Sequence, residues 1–471
     1  MVQGSVRTVT GSEARVARAS VDFKLIRNFA LRIFTSGGRG WRGNAPLLWL
    51  AAFVLVGLPM LLVLVQAVFP KLFDPTSPNF APSPDALLRL VTSPRLLRGI
   101  LNTITLGAVG AVASTLVGAA LALVVHLSDV RLRKIWTALP WVVFATPSYL
   151  KGLAWVLLMS QGGYLVYLGV LSPAQASAFF GPPGLLLVMA LSLFPVPYFI
   201  VRARLEGIGG EYIDAARMAS AGPMRTIAKI IVPMLLPAIG LSMLTTFAEV
   251  IGDFGLANTI ARSMNFGLLT YNIYAATSSF PVDFAAAGAQ ALLLAVLVSG
   301  SVSAAAMSGT QGEARFLSGR NRQLRPYMLG AWQPLVIAVL MLVAILSAVM
   351  PLLAVTLRAL TTSLGDGLAW TNFSLSAIRA VFDMSNVAGQ ALVSSFFYGF
   401  AAALITVAFA VPFAFRVSLA SRRVRMIAVG LAMVTVAVPG IILAFGYILL
   451  YDRVPGFIDL GLYGTRTLLV L

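Results

Sequence analysis

Long apolar stretches with few charges restrict the fold of this chain more than any other feature of its sequence. A run of 18 or more apolar residues is long enough to cross the hydrocarbon core of a bilayer as an α-helix. Backbone groups cannot stay unpaired in lipid, so we predict an all-α, polytopic transmembrane helical bundle. The predicted spans are near 46–69, 99–126, 135–159, 184–203, 233–252, 286–308, 333–357, 389–416 and 426–450, and a tenth begins at about 465.

The charge balance supports a membrane protein and indicates its orientation. Charged residues make up only 11% of the chain, far below the quarter that is usual in soluble domains. The formal net charge is +18, but the basic residues concentrate between the apolar runs, so we expect a membrane and no nucleic-acid partner. The positive-inside rule then predicts a cytoplasmic N-terminus, with cytoplasmic segments at 127–134, 204–232, 309–332 and 417–425.

The N-terminal segment 1–45 is basic and lacks an apolar core soon after its first charges, so it does not read as a cleaved signal peptide. Phe23, Ile26, Ala30 and Ile33 recur at helical spacing, which favours an interfacial helix on the cytoplasmic leaflet. A disordered basic tail is the alternative that these residues leave open.

Several classes of chemistry are excluded by what the sequence lacks. There is no cysteine, and the single histidine, His126, cannot form a multi-histidine metal site; we expect it at a span end near a basic loop. No G-x-x-x-x-G-K-[ST] phosphate loop is present, so this chain is not itself an ATP hydrolase. We therefore expect no catalytic residue, no metal site and no cofactor in this chain.

An internal repeat organises the apolar runs. Residues 145–158, ATPSYLKGLAWVLL, align with residues 437–450, AVPGIILAFGYILL, at an offset of 292. Pro147 and Pro439 fall at matching points of the two copies, where proline loosens a helix. We expect two fused copies of one multi-span unit.

The repeat and the charge pattern together predict four regions. The second copy is expected to stop before its own version of the segment 204–232, which the offset puts roughly 25 to 35 residues beyond Leu471. The predicted regions are a basic cytoplasmic segment 1–45, a first transmembrane half 46–308, a cytoplasmic linker 309–332 and an incomplete second half 333–471.

The segment 204–232 has the sequence of two short helices with a turn between them. Glu211 and Asp214 lie where carboxylates complement a helix N-terminus. Gly222-Pro223 is expected to stop the first helix, and a second helix restarts over 224–231. Small residues between the charges leave a projection that a partner protein can approach closely. An ordinary amphipathic loop between two spans is the alternative.

The spacing in this segment resembles the EAA signature, E-A-A-x3-G-x9-I-x-L-P, of ABC importer membrane subunits. The chain departs from it by Asp214 for Glu, Ser220 for Gly and Val232 for Leu. The resemblance implies a short helix pair on the cytoplasmic face that fits a cleft of a separate ATPase subunit. The residues that carry it are Asp214, Ala215, Ala216, Ser220, Ile230 and Pro233.

The same resemblance implies which residues couple the two subunits. Bulk at the small residues 215 and 216 is expected to prevent docking, so Ala216→Trp is predicted to abolish ATP-driven uptake without unfolding the protein. The expected coupling residues are Glu211, Asp214, Ala215, Ala216, Ser220 and Gly222.

The segment 247–298 resembles the fused ABC permeases of the ferric-iron importer group, with an acid-x-x-x-DFG stretch, an aromatic segment and an alanine-rich span. The resemblance implies the ABC type I importer permease fold in a bacterial inner membrane. It also implies ATP-binding cassette ATPase subunits that carry ATP and Mg, a periplasmic or lipid-anchored substrate-binding protein, and ferric iron as substrate. Relatives in that group move 2-aminoethylphosphonate, thiamine, polyamines or sulfate-like anions.

Three charged residues are the candidates for a pathway through the membrane. Lys151 and Glu249 lie within apolar runs, and Asp253 lies at the predicted external end of one. Such charges usually face a cavity, and Lys151 would pair with one of the acids. The alternative is that all three lie at helix ends or pair structurally. A secondary transporter driven by an ion gradient would need more intramembrane acids, and a scaffold would leave the repeat without purpose.

Overall fold

A computed structural model describes residues 45–73, 79–208, 210–261, 264, 266–311, 326–428, 438–454, 458–465 and 467–468, with the side chains of 45–48, 308–311 and 459 left aside. The described residues form α-helices joined by short turns, and the only β pairing among them is two isolated bridges. The predicted N-terminal helix or tail and most of the linker, residues 1–44 and 312–325, lie outside the described residues.

The first repeat contains sixteen helical elements, some of which are single turns. Its helices are α1 Ala45–Ala52, α2 Leu58–Val68, α3 Asp85–Thr92, α4 Pro94–Leu127, α5 Arg133–Ala145, α6 Ser148–Met159, α7 Tyr164–Tyr167, α8 Pro173–Phe179, α9 Pro182–Leu193, α10 Pro195–Glu206, α11 Gly210–Met218, α12 Pro223–Thr226, α13 Val232–Gly252, α14 Phe254–Leu256, α15 Leu269–Ser278 and α16 Phe284–Gln311. Short π-helical turns lie at Phe53–Gly57, Ile227–Ile231 and Ala257–Ala261.

The second repeat begins after the linker and has fewer described helices. They are α17 Gln333–Ala344, α18 Met350–Leu360, α19 Ser376–Phe382, α20 Val387–Leu419, α21 at 422–428 and α22 Gly440–Arg453, with a π-helical turn at Ile345–Val349. Of the predicted span from about 465, too few residues are described to assign an element.

Six helical stretches among the described residues are long and apolar enough to cross a membrane, and two further pairs of bent helices would raise the number to eight. The predicted all-α, polytopic transmembrane bundle is therefore confirmed. The six stretches are Trp49–Val68, Pro94–Leu127, Pro223–Gly252, Phe284–Met307, Gly330–Leu360 and Val387–Leu419.

Two predicted spans are not single straight helices. The run 135–159 is broken at Thr146-Pro147, and the helices on either side of the break are bent by 97° relative to each other. The run 184–203 is divided at Phe194 into α9 and α10. Proline has no backbone N–H and restricts the residue before it, so a proline can break a helix whose hydrophobicity alone predicts a continuous span.

The internal repeat is visible in the helix boundaries. The π-helical turn Phe53–Gly57 has its counterpart 292 residues later at Ile345–Val349, and α2 has its counterpart in α18 at the same offset. Pro147 and Pro439 have nearly the same backbone, with ψ of 140° and 137°, and each immediately precedes a helix. The two copies thus share local geometry as well as sequence.

Each copy packs its first span against the other copy. Helix α22 of the second copy packs on α2 of the first, and α6 of the first packs on α18 of the second. Because α22 is the counterpart of α6 and α18 that of α2, the two contacts are the same contact made twice. Such a reciprocal interface is what an approximate two-fold axis between the copies requires.

A close backbone approach explains one glycine of this interface. Gly446 in α22 lies against the backbone of Pro59 in α2, and a Cβ atom on it would lie 2.5 Å from the Pro59 carbonyl oxygen. Small residues let helices approach closely in membranes, where van der Waals packing supplies much of the association energy. Ala154, the counterpart of Gly446 in α6, is also small and fully buried.

The long helices α4 and α20 occupy equivalent positions but have different surroundings. Helix α4 is covered by α9, α10 and α13, and half of its most apolar stretch is buried. No residue of the corresponding stretch of α20 is buried among the described parts of the chain. The counterpart positions of α9, α10 and α13 fall after residue 471.

A matched pair of glycine substitutions tests the reciprocal interface. Gly446→Ala is expected to lower the free energy of unfolding by about 1–3 kcal/mol because the added methyl overpacks the contact with Pro59. Gly399→Ala in α20 meets no atom within 4 Å, so it is expected to stabilise by up to about 1 kcal/mol through helix propensity. Unfolding in mixed detergent micelles measures both changes. If both substitutions changed the free energy of unfolding equally and in the same direction, the close contact of Gly446 with Pro59 would be contradicted.

Candidate functional site

The first helix of the loop 204–232 ends in a Schellman motif. The Ala221 N–H donates to the Ala216 carbonyl at 2.9 Å, and the Ser220 N–H donates to the Arg217 carbonyl at 2.9 Å. Ser220 adopts the left-handed conformation, with φ of 54°. Glycine is the usual residue in this position because it has no Cβ to clash there. The serine at the usual glycine of the EAA signature therefore occupies the one strained position of the turn.

The second helix of the loop leads without interruption into a membrane span. Gly222 precedes it in an extended conformation, and Pro223 occupies its first turn, where the missing N–H costs no hydrogen bond. The helix continues through α12 and the π-helical turn into α13, as the stretch Pro223–Gly252. A force on the loop therefore acts on a membrane-crossing helix directly.

The tip of the loop exposes small and flexible apolar side chains. Ala215 is exposed, Met218 is 83% exposed and Met224 is 80% exposed. Ala216 lies on the opposite side of α11 and is only 5% exposed. Tryptophan at 216 would therefore disturb the packing of this chain, so Ala215 is the better position for a docking test. Exposed methionines adapt their shape to a partner surface.

The remaining predicted coupling residues lie on the same helix pair. Glu211 is exposed in the first turn of α11, and Asp214 is half-buried, with its carboxylate 3.9 Å from Arg217. Gly222 is exposed, and a Cβ atom on it would meet nothing within 4 Å. The fold of this chain therefore gives no steric reason for glycine at 222.

Arg217, in the last turn of α11, ties this helix to the end of the linker 309–332. Its guanidinium donates to the Pro326 carbonyl at 3.4 Å and lies 4.7 Å from the centre of the Tyr327 ring. The cation–π contact and the hydrogen bond hold the helix against the last part of the linker, which leads into the second repeat. Sequence reasoning missed Arg217, because its partners are more than 100 residues away.

Tyr327 is in turn paired with the loop that follows α4. Its N–H donates to the Leu127 carbonyl at 2.7 Å, and the Asp129 N–H donates to its carbonyl at 3.1 Å. The Asp129 carboxylate accepts a hydrogen bond from the Leu329 N–H at 2.8 Å. We call this set of contacts, from Leu127, Asp129 and Arg217 to residues 326–329, the junction. It joins the loop 204–232 to both repeats.

His126 lies beside the junction in the last turn of α4, as the sequence predicts. Its ring nitrogens lie 3.4 Å from the Tyr198 hydroxyl and 3.4 Å from the Arg133 guanidinium. Among the described residues no group of three or more His, Cys, Asp or Glu side chains is arranged to hold a metal ion.

A cavity of about 530 Å³ lies where the two repeats meet. Ser148 follows Pro147 in the first repeat, and Pro439 and Gly440 are the equivalent pair in the second. Ser148 at the start of α6 and Pro439 and Gly440 at the start of α22 thus line one cavity. Its polar lining comes from Ser148, Thr245, Glu249 and Asp253.

The cavity is acidic. The Glu249 side chain is exposed to it from α13, and Asp253 lines it at the end of the same helix. One Asp253 carboxylate oxygen accepts the Leu256 N–H at 2.8 Å and so caps α14, while the other acid, Glu249, is left facing the space. Two carboxylates on one wall attract cations and repel anions.

Lys151 does not line this cavity. Its Nζ donates to the Val143 carbonyl at 3.2 Å and to the Ser192 carbonyl at 3.2 Å, and the side chain is only 5% exposed. These carbonyls belong to the last turns of α5 and α9, which have no partners within their own helices. Lys151 therefore closes two helix ends, and Asp253 lies near enough to interact with its charge.

Sequence reasoning found the acids of the cavity but not its other lining residues. Ser148 and Gly440 are identifiable in retrospect, because each directly follows a proline of the repeat. Thr245 precedes Glu249 by four residues, one helical turn, and so shares its face. No sequence signal indicates that the segments after Pro147 and at Pro439 line the same cavity.

Relieving the strained turn tests the geometry of the loop. Ser220→Gly is expected to stabilise the protein by about 1 kcal/mol because glycine adopts positive φ without a Cβ clash. Ala221→Gly, at the next position with negative φ, is the matched control and is expected to destabilise by about 0.5 kcal/mol. Unfolding free energies and hydrogen exchange of α11 amides measure the effect. A destabilised Ser220→Gly would contradict the left-handed turn.

Residues 114–311 match the protein family described as binding-protein-dependent transport system inner membrane component. The matched range begins within α4 and ends with α16, so it includes the loop 204–232, Glu249 and Asp253. The cavity residues of the second repeat lie outside it.

Curated relatives match a similar part of the chain. The ferric transport system permease protein FbpB of Actinobacillus pleuropneumoniae is 25% identical over 228 residues, covering 46% of this chain and 32% of that protein. The sulfate transport system permease protein CysT of Salmonella typhimurium is 25% identical over 211 residues, which cover 44% of this chain and 76% of that protein. The molybdenum transport system permease protein ModB of Mycobacterium bovis is 25% identical over 219 residues, which cover 45% of this chain and 75% of that protein.

The matched region spans about a third of the length of the ferric relatives and three quarters of the sulfate and molybdenum ones. All of these proteins are named as transport system permeases, while their substrates differ at similar identity. Over residues 114–311, the sequence is therefore similar to the binding-protein-dependent transport system inner membrane component family.

Proposed function

We propose that this chain is a permease subunit of an ATP-driven ABC importer in a bacterial inner membrane. In this proposal the substrate crosses through the cavity between the two repeats, which opens alternately to each side. The chain forms the pathway and hydrolyses no ATP. The observation that carries the proposal is the loop 204–232, a helix pair with an exposed tip and a base fixed to both repeats.

The loop is suited to receive force from a separate ATPase. Its tip, with Ala215, Met218 and Met224, offers an apolar projection that fits a cleft. Its first helix is held through Arg217 and Tyr327 to the end of the linker that leads into the second repeat, and its second helix is continuous with α13. Movement of the tip is thereby passed to the helix that carries Glu249 and to the start of the second repeat.

The partners follow from this arrangement. ATP-binding cassette subunits, carrying ATP and Mg, would dock on the loop on the cytoplasmic side, where the positive-inside rule puts it together with the N-terminus. A periplasmic or lipid-anchored binding protein would deliver substrate at the opposite side. Docking variants at exposed residues of the loop are expected to leave the fold of the bundle intact.

We further propose that the substrate is a cation, with ferric iron as the specific candidate. The acidic wall formed by Glu249 and Asp253 supports a cation over the sulfate or molybdate named for other relatives. The ferric transport permeases among the relatives are consistent with a positively charged substrate. Two carboxylates attract an iron ion without forming a complete ligand set that would retain it.

Bulk at the exposed tip tests the coupling. Ala215→Trp is expected to reduce ATP-driven uptake in proteoliposomes at least tenfold and to abolish stimulation of the ATPase, because the indole blocks close approach of the partner. The melting temperature of the purified protein should not change. Ala391→Trp, at an exposed alanine of α20, is the matched control. Normal uptake by Ala215→Trp would refute the docking role of the loop.

Neutralising the cavity acid tests the sign of the substrate. Glu249→Gln is expected to slow uptake of ferric iron about tenfold, since it removes one attractive charge from the wall. Asp85→Asn, at an exposed acid of α3, is the control and should leave uptake unchanged. Uptake of iron, sulfate and molybdate is measured in parallel. Faster uptake of an oxyanion by Glu249→Gln, with no iron uptake by either protein, would reverse the substrate assignment.

A further inference from the structure

A second pocket, of about 590 Å³, lies at the far end of α4 from the junction. Helix α4 has 34 residues and is therefore about 51 Å long. The pocket is lined by the first turns of α4, by Ala261, Phe266 and Gly267, and by α15. It is separate from the acidic cavity, and no lining residue is shared between the two.

The polar groups that line this pocket are mostly hydrogen-bond donors, and two of them are cationic. Arg95 and Arg98 are exposed at its edge, and within the described part of the chain neither forms an ion pair. The side-chain amides of Asn102 and Asn272 and the hydroxyl of Tyr271 complete the polar lining. Guanidinium groups bind oxyanions through paired N–H donors, and amide and phenol groups add neutral donors.

The frame of the pocket is held by contacts that leave the arginines available. The Asn102 amide donates to the Gly267 carbonyl at 3.2 Å, and the Leu269 N–H donates to the Thr103 hydroxyl at 3.0 Å. Asn272 packs against Gly99, whose missing side chain makes room for it. Arg98 donates its Nε to the Pro94 carbonyl at 3.1 Å, and its terminal nitrogens have no hydrogen-bond partner among the described residues, so they can reach a ligand.

The basic character belongs to one repeat only. At the offset of 292, the positions of Arg95, Arg98 and Asn102 are occupied by Val387, Gln390 and Ser394. The repeat keeps the helix but not the charges, so packing of the helix does not require them. The arginines therefore have a role that is specific to the first repeat.

We propose that this pocket is a binding site for an oxyanion that carries phosphate-like or sulfate-like oxygens. The concave shape and the donors from two separate helices, α4 and α15, suit a small tetrahedral group. Such a group reaches the site either as a free anion or as the phosphate of a lipid headgroup. The site is independent of the proposed transport function, because it uses none of the cavity or loop residues.

The pocket also adjoins the pathway through a short structured segment. Asp253 and Phe254 line the acidic cavity, and Ala261, at the end of the π-helical turn that follows, lines the basic pocket. The Phe254 ring packs 5.1 Å from that of Tyr274 in α15, the helix that supplies Tyr271 and Asn272. An anion in the pocket therefore contacts the elements that hold one wall of the cavity.

Binding of radiolabelled inorganic phosphate to the full chain in dodecyl maltoside, a detergent without phosphate, tests the site. Saturable binding is expected in excess chloride. Each of Arg95→Gln and Arg98→Gln should weaken it about tenfold, and the double variant about a hundredfold. Arg89→Gln and Arg379→Gln, at exposed arginines of α3 and α19, are matched controls that should bind as the unchanged protein does.

A second arm distinguishes the source of the anion. Phosphatidylglycerol retained through purification is quantified by mass spectrometry for the unchanged protein and for the double variant, after equal melting temperatures confirm that both are folded. Lipid retention lost only in the double variant assigns the site to a headgroup, and phosphate binding without lipid retention assigns it to a free anion. If the double variant matches the unchanged protein in both phosphate binding and lipid retention, the proposal is wrong.

Discussion

The need to pair backbone groups in lipid governs where this chain can depart from a regular helix. In the described residues Ser148, which follows the helix break at Pro147, and Pro439, which precedes α22, both line the cavity between the repeats, where non-helical backbone is tolerated. The carbonyls of Val143 and Ser192 at nearby helix ends are satisfied by Lys151. One buried lysine thus makes possible the broken helices that shape the cavity, which explains a costly charge within an apolar run.

The reciprocal contact of the two repeats gives this cavity its two-sided form. Because α22 packs on α2 and α6 packs on α18, each repeat holds the broken helix of the other. The prolines at the starts of α6 and α22 are therefore brought to one place by the same interaction made twice.

The loop 204–232 and the cavity are joined by covalent and non-covalent routes. The covalent route is the helix that begins at Pro223 and ends at Gly252, one residue before Asp253. The non-covalent route is the junction, in which Arg217 and Tyr327 connect α11 to the second repeat. A motion of the loop therefore reaches both walls of the cavity, and the two repeats need not move as one body.

The sequence by itself determined the membrane-crossing helices, the 292-residue repeat and the two-helix form of the loop, because hydrophobic run length, proline position and helix-ending residues act locally. Only the tertiary structure decided that Ala216 faces inward while Ala215 faces out, since one helical turn offers both faces and packing selects between them. It also decided that Lys151 donates its hydrogen bonds to two main-chain carbonyls, with the Asp253 carboxylate nearby. Partners more than 40 residues apart, such as Lys151 with Ser192 and Arg217 with Pro326, depend on how the helices pack, which local pattern does not specify.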